Sequence, residues 1–295
     1  MILLEGAQVA RGIYSKLAQA VETLKNERKR PPHLSIVLIG SDPASLTYVE
    51  TKRKVCQKVG FTTTLHRYED LQEHALLRLI DAINRDPTVD GLIVQLPLPG
   101  HIDTHRVVYS IDSAKDVDGF HPNNLGALSS GAPKYIPATP WGILELFKFY
   151  HIDLAGKHCV IVGRSRTVGR PLSILMSTDR HPGNATVTLC HRYTQSLPEI
   201  TRQADVLVAA AGEHKLILRD MVKPGAVVVD VGITRVDDPA CKRGYRICGD
   251  VDFNSVAPVC SFITPVPGGV GPMTVAGLLM NTWKAAQSRP NTYLE

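Results

Sequence analysis

The sequence predicts an α/β protein of two domains with parallel sheets. Two observations lead there. At 295 residues the chain has room for roughly two domains of about 150 residues each. In both halves, short β-branched runs alternate with helix-length stretches, the pattern of strands joined by helical crossovers.

Taken in order, residues 6–24 carry apolar side chains at helical spacing and end in the charged, Pro-terminated Arg30-Pro31-Pro32. Leu34–Ile39 (LSIVLI) is a core strand closed by Gly40. Ser41-Asp42-Pro43 turns the chain into a helix over 44–59, which Gly60 stops. Residues 61–68 alternate as a strand, 71–83 are helical, and 91–96 (GLIVQL) form another buried strand. Residues 112–142 are rich in Gly, Pro, Asp and Asn with no periodic run, which predicts a functional loop and an interdomain connection, with a connecting helix over 141–150. The second half predicts strands at 158–162, 185–190, 205–210, 226–231 and 245–248, with helices at 168–176, 197–203 and 218–222 between them. Strands recurring about every 20–25 residues fit a Rossmann-type dinucleotide fold. A long helix over 270–287 then returns to the first domain. The expected domains are 1–140 with 272–295, and 141–271.

Composition narrows the function. Apolar residues make up 44% and charged residues 21%, ordinary for a globular protein and unlike a disordered chain. Net charge is 33 − 28 = +5 with the basic residues scattered, and aromatics are only 6%. A nucleic-acid binder wants a basic stripe, and a single-strand binder also wants interleaved aromatics, so neither is expected. No apolar run reaches the 18 or so residues of a membrane helix, so no membrane partner is expected. The six cysteines show no C-x-x-C pair and no Cys/His set at metal-ligand spacing. No metal site is expected, and reduced thiols in the cytoplasm are.

Two regions carry candidate chemistry. After the strand 158–162 the chain reads GRSRTVGRP (Gly163 to Pro171) and opens a helix. The first glycine permits a tight turn, and the helix N-terminus offers free N–H groups to a pyrophosphate. Ser165 stands where the second glycine of G-x-G-x-x-G belongs. The second strand ends in His191-Arg192-Tyr193-Thr194 without the acidic residue that holds a ribose 2′-hydroxyl. Arg164 and Arg192 suit a 2′-phosphate instead; the plainer alternative is two solvated arginines. In the first domain, Tyr48 and Lys52 lie four apart on one helix face, by itself an ordinary surface pair. Gln95 ends a buried strand, where a polar group needs a partner or a ligand. KDVDGFHP (Lys115 to Pro122) sets two carboxylates in a Gly/Pro-rich loop, and ITPVPGGVGPM (Ile263 to Met273) is too rich in Pro and Gly for an element interior.

These residues carry a resemblance over nearly the whole length. The blocks are PASLTYVETKRK (Pro43 to Lys54), VQLPLP (Val94 to Pro99), KDVDGFHP, PATPWG (Pro137 to Gly142), GRSRTVGRP, VVVDVGI (Val227 to Ile233), GDVDF (Gly249 to Phe253) and TPVPGGVGPMT (Thr264 to Thr274). In this order they resemble the bifunctional methylenetetrahydrofolate dehydrogenase/methenyltetrahydrofolate cyclohydrolase family. The resemblance implies an N-terminal catalytic domain, a C-terminal NAD(P)-binding domain, tetrahydrofolate substrates, NADP as cofactor and a homodimer. It further implies Lys52 as the catalytic lysine, held by Gln95. Tyr48 would stack on the folate rings and Asp118 would bind the pterin, with Asp116 capping the loop. Gly163, Arg164, Ser165 and Gly169 would surround the phosphates, Arg192 the 2′-phosphate, and Ile233 and Thr274 the nicotinamide. His121 fits a structural role better than acid–base work. The chain departs from the family in reading CHRYT for C-H-S-K-T, Gly212-Glu213-His214 for G-K-P and P-A-T-P for P-C-T-P. Two alternatives are a dehydrogenase lacking the hydrolytic step and a shikimate- or amino-acid-type dehydrogenase. The first is opposed by Lys52, the second by KDVDGFHP with VQLPLP. A non-enzymatic nucleotide sensor is opposed by the intact set Tyr48, Lys52, Gln95 and Asp118.

Overall fold

The computed structural model describes residues 1–239, 241 and 244–288. The chain divides into two compact units, one of Met1–Ala10 with Thr139–Thr274, the other of Arg11–Ala138 with the chain from Val275 on. Residues 289–295 of the segment expected to return to the first domain lie outside the described residues.

A short strand β1 (Ile2–Leu3) precedes helix α1 (Gly6–Asn26). There follow β2 (His33–Ile39), α2 (Pro43–Val59), β3 (Thr62–Tyr68), α3 (Glu73–Arg85), β4 (Gly91–Val94), α4 (Thr104–Ser110), α5 (Pro122–Ser129) and α6 (Ala138–Phe149). β2, β3 and β4 form a parallel sheet in the order β3-β2-β4. Successive side chains of a strand point to opposite faces. Leu34, Ile36 and Leu38 of β2 therefore pack with Leu17 and Val21 of α1, Val49, Cys56 and Val59 of α2, and Leu278 and Leu279 near the C-terminus. Val37 and Ile39 face the other way, onto Leu76, Ile80 and Ile83 of α3 and Val107 of α4. The sheet is thus covered on both faces, as a parallel sheet requires.

The unit of Met1–Ala10 with Thr139–Thr274 holds β1 and nearly all of α6, and continues with β5 (His158–Val162), α7 (Gly169–Ser177), β6 (Thr186–Cys190), α8 (Leu197–Thr201), β7 (Val206–Ala209) and β8 (Val227–Asp230). β9 (Thr234–Asp237), β10 (Tyr245–Cys248), α9 (Phe253–Val256), β11 (Phe262–Ile263) and α10 (Val270–Gln287) follow among the described residues. Its sheet is parallel throughout, in the order β1-β11-β8-β7-β5-β6. The strand order reverses at β5, which has β6 on one side and β7 on the other. In open α/β sheets ligands bind outside the carboxyl ends of the strands at such a switch point.

The elements differ from the sequence reading in several places: α4, β9 and α9 were not expected, the helix expected over 218–222 is a single 3-10 turn over Arg219–Met221, and three further differences bear on the sheets and the loop. The segment 112–142, read as loop and connection, contains α5, started by His121 as N-cap and Pro122 in its first turn. Residues 245–248 do form a strand, but β10 pairs antiparallel with β9 in a separate two-stranded sheet rather than extending the parallel one. The parallel sheet instead gains β1 and β11, each of two residues, too short for any periodicity to register. By pairing with β11, β1 also groups residues 1–10 with the second half of the chain, where the sequence reading assigns them to 1–140.

Candidate active site

Helix α2 presents one charged side chain inward. Asp42 caps it, its carboxylate accepting from the Ser45 N–H at 2.8 Å, and Pro43 occupies its first turn. The buried positions are Ser45, Val49, Lys52, Cys56 and Val59, spaced four and three apart. Lys52 therefore stands on the core stripe, where an apolar residue is expected. Arg53 and Lys54 turn outward and pair with Glu50.

Lys52 is 8% exposed, and its Nζ donates to Gln95 Oε1 at 2.9 Å. Gln95 follows β4; its N–H donates to Val37 O and its Nε2 to Leu96 O, which fixes the amide and turns its oxygen to the lysine. Burial pushes the Lys52 ammonium below its ordinary range, while the nearby Asp118 and Cys56 act to hold its charge. Burial also drives the Cys56 thiol, one turn further along, up to about 12, so it stays neutral. Tyr48, one turn before Lys52, is half-buried, and burial raises its hydroxyl.

Asp118 sits on a loop that is pinned elsewhere along its length. The buried Lys115 donates to the carbonyls of Ile83 and Asp86 at 2.6 Å each, at the C-terminal end of α3, where a cation is favoured. Asp116 accepts from the N–H groups of Gly119 and His121 and from Asn124 Nδ2, so it folds the loop. Asn281 of α10 donates to Val117 O and Ile136 O, each at 2.8 Å. His121 accepts from the Asn123 N–H through Nδ1 and caps α5. Among the described residues the Asp118 carboxylate itself has no hydrogen-bond partner. Burial raises it to about 6; the Lys52 charge pulls it down and Asp116 pushes it up. The structure thus brings together Lys52, Gln95 and Asp118 with Tyr48 one turn away. Lys115 and Asn281, which the sequence reading passes over, hold the loop.

In the other unit, Gly163 adopts φ +123°, and a Cβ there would collide with the Ala210 carbonyl. A Cβ on Gly169 would collide with the Gly163 carbonyl, so both glycines are required by close approach. Ser165 Oγ accepts from the N–H groups of Val168 (3.1 Å) and Gly169 (3.4 Å), holding the first turn of α7. A strand, a glycine turn and a helix N-terminus at the switch point fit a dinucleotide. Arg164 is exposed. Arg192 is exposed too, stacked 4.8 Å from the Tyr193 ring centroid, and neither arginine makes an ion pair with a described residue. The turn after β6 is closed by Thr194, whose Oγ1 accepts from the His191 N–H at 2.9 Å. Ile233 follows β8 and is 46% exposed, and Thr274 Oγ1 shares a 2.9 Å hydrogen bond with Thr139 Oγ1.

Residues 4–118 match the family described as tetrahydrofolate dehydrogenase/cyclohydrolase, catalytic domain, and residues 137–290 match its NAD(P)-binding domain. A relative from Amoebophilus asiaticus, named bifunctional protein FolD, is 55% identical over 289 residues, 98% of this chain and 97% of its own. The solved structure of the bifunctional FolD methylenetetrahydrofolate dehydrogenase/cyclohydrolase from Campylobacter jejuni superposes with a TM-score of 0.91 at 45% identity, covering 98% of this chain and all of that one. The Trypanosoma brucei enzyme, solved with NADP cofactor and an inhibitor, gives a TM-score of 0.92 at 35% identity over 97% of each chain.

Proposed function

The chain belongs to the tetrahydrofolate dehydrogenase/cyclohydrolase family, and from this we infer an enzyme that catalyses two consecutive steps on one folate. It oxidises 5,10-methylenetetrahydrofolate to the 5,10-methenyl form with NADP, then hydrolyses that cation to 10-formyltetrahydrofolate. The observation that carries the hydrolytic assignment is Lys52, buried on an apolar stripe with its amine held by Gln95.

In the first step hydride leaves the carbon bridging N5 and N10, and the N10 lone pair supports the cation left behind. NADP supplies the hydride acceptor when bound. No strong base is needed, so the protein contributes chiefly position. Gly163, Arg164, Ser165 and Gly169 would hold the NADP phosphates and Arg192 its 2′-phosphate, with Ile233 and Thr274 near the nicotinamide.

In the second step water adds to the methenyl carbon and gives up a proton. A neutral amine can take it, and burial lowers Lys52 in that direction. Gln95 Oε1, by accepting from Nζ, fixes where the lone pair points. The amine then returns that proton to N5 as the C–N5 bond breaks, and the hydroxyl proton of the intermediate leaves to solvent as the formyl C=O forms. Asp118, whose oxygens have no hydrogen-bond donor among the described residues, accepts the paired N–H groups of the pterin's amino-pyrimidine edge. Tyr48 stacks on the folate rings. The family resemblance supports a homodimer. Six cysteines without a disulfide support a cytoplasmic setting, and no helix of the described residues is long and apolar enough to cross a membrane.

The test is an absorbance assay with methylenetetrahydrofolate and NADP or NAD, following methenyl formation and its decay. Formation without decay would remove the hydrolytic half, and no formation with either cofactor would remove the reading.

A further inference from the structure

Two buried carboxylates lie in the cofactor-side unit, and the reaction uses neither. Asp250 is fully buried and Asp230 is 4% exposed. Asp250 Oδ2 accepts from the N–H groups of Ala211 at 2.6 Å and Gly212 at 3.0 Å, the residues that leave β7. Asp230 Oδ1 accepts from Gly232, in the segment leaving β8, and from Asp250 itself, and its Oδ2 accepts from Val251, each at 2.9 Å. Thr264 Oγ1 accepts from the Asp230 N–H at 2.7 Å. The packing is close enough to demand glycine on both sides: a Cβ on Gly232 would strike the Asp250 carboxylate, and one on Gly249 would strike that of Asp230. Asp250 is also tied through its main chain, its carbonyl accepting from the Ile217 N–H at 2.9 Å.

These bonds converge on the cofactor turn. The Ala210 carbonyl is the group that excludes a side chain at Gly163, so the backbone leaving β7 forms one wall of the turn. Asp250 fixes the next two amides of that backbone. Its other oxygen, Oδ1, is buried against Gly232 with no hydrogen-bond partner among the described residues, and Gly232 precedes Ile233. A buried carboxylate with an unpaired oxygen is a costly way to fill space, and an apolar residue of similar volume often serves stability as well or better. What the carboxylate provides is one directed oxygen, Oδ2, that accepts from two loop amides that no strand or helix satisfies.

We propose that Asp250 is a positioning residue of the cofactor site. It holds Ala211–Gly212 against the Gly163 turn and, with Asp230, sets the segment that leads to Ile233. The proposal rests on the reading of Gly163–Gly169 as the dinucleotide turn.

The experiment compares Asp250→Asn and Asp250→Ala with the parent in two measurements. One is a calorimetric titration with NADP. The other is hydrolysis of methenyltetrahydrofolate in the absence of any cofactor. Alanine removes the acceptor of both bonds and should weaken NADP by about tenfold to a hundredfold, the span of a lost charge-assisted hydrogen bond. Asparagine can set its carbonyl oxygen where Oδ2 stands and keep both bonds, losing only the charge, so it should weaken NADP less, by about threefold to tenfold. Hydrolysis should run at the parental rate in both variants, because its proposed residues belong to the other unit. Unchanged NADP affinity in Asp250→Asn overturns the proposal whether or not the alanine variant folds. A parallel loss of NADP binding and hydrolysis overturns it too, since that is the mark of general unfolding. If the parent hydrolyses methenyltetrahydrofolate yet binds no NADP, the cofactor reading fails rather than the positioning role.

Discussion

Replacing Lys52 by Met separates the two reactions. Met keeps most of the stem in a position that is 8% exposed, so little or no cavity opens. Gln95 Oε1 loses its donor, a cost of about 0.5–1.5 kcal/mol, while the penalty of burying an ammonium is removed. The two nearly offset, and the variant should fold with close to parental stability. The chemistry does not offset. General-base catalysis contributes about a hundredfold to ten-thousandfold, so hydrolysis of the methenyl cation should fall by that factor. Hydride removal needs no base, so oxidation should continue. In one cuvette with methylenetetrahydrofolate and NADP, the methenyl absorbance should rise and stay instead of rising and decaying. A second signature follows from charge. Lys52 is one of the groups that pull the Asp118 carboxyl down, so without it Asp118 should sit above its present value of about 6. The acid limb of folate affinity should then move to higher pH in the variant. Parental hydrolysis by Lys52→Met refutes the assignment, and an unmoved acid limb refutes the coupling to Asp118.

Four further outcomes are expected. Asp118→Ala should weaken folate by roughly 2–3 kcal/mol by removing a charged bidentate acceptor, and leave NADP unchanged; equal losses in paired titrations would indicate a loop-folding role instead. Because burial raises the Asp118 carboxyl to about 6, its ionisation costs stability as pH rises through that value; Asp118→Asn should raise Tm at pH 8 but not at pH 4, which thermal melts at the two pH values check. Arg164→Ala and Arg192→Ala should each lower the NADP-over-NAD ratio of kcat/KM, by about tenfold for an arginine that holds the 2′-phosphate, and two unchanged ratios would reject that contact. Asn281→Ala removes both donors that hold Val117 and Ile136 and should raise the folate KM severalfold at unchanged NADP affinity; an unchanged folate KM would mean that the loop holds without it.

Much of this architecture is legible in the chain, for physical reasons that can be named. β5 and α10 occur over the residues that periodicity indicates, because a continuous β-branched run and a long apolar stripe each have one way to be buried. α5 was hidden because Asn123, Asn124 and Gly126 are loop formers, and its start depends on His121 serving as a cap. The pairing of β10 could not be read, since a four-residue alternating run does not say which edge it joins. β1 is invisible for a related reason. Two residues become a strand only because β11 lies beside them.

The candidate site divides along the same line. From spacing alone Lys52 reads as half of an ordinary surface pair with Tyr48, and only the resemblance singled it out; the structure shows the conflict, an ammonium on the core stripe of α2. Such disagreement between local pattern and residue type is where a functional group is to be sought. Gln95 at the end of a buried strand gives the same signal. The groups that hold the site gave none. Nothing in the local pattern marks Lys115 in its Gly/Pro-rich loop, and its burial depends on carbonyls at the end of α3 about 30 residues away in sequence. Asp250 falls within a block that marked the resemblance, yet its acceptors meet amides some 40 positions earlier, across the sheet. A side chain that touches the substrate must break the pattern of its own element, because its partner is absent from the chain. A side chain that positions another meets a partner inside the fold, so its pattern breaks nothing. The first kind can be read from one sequence; the second appears only when the tertiary hydrogen bonds are known.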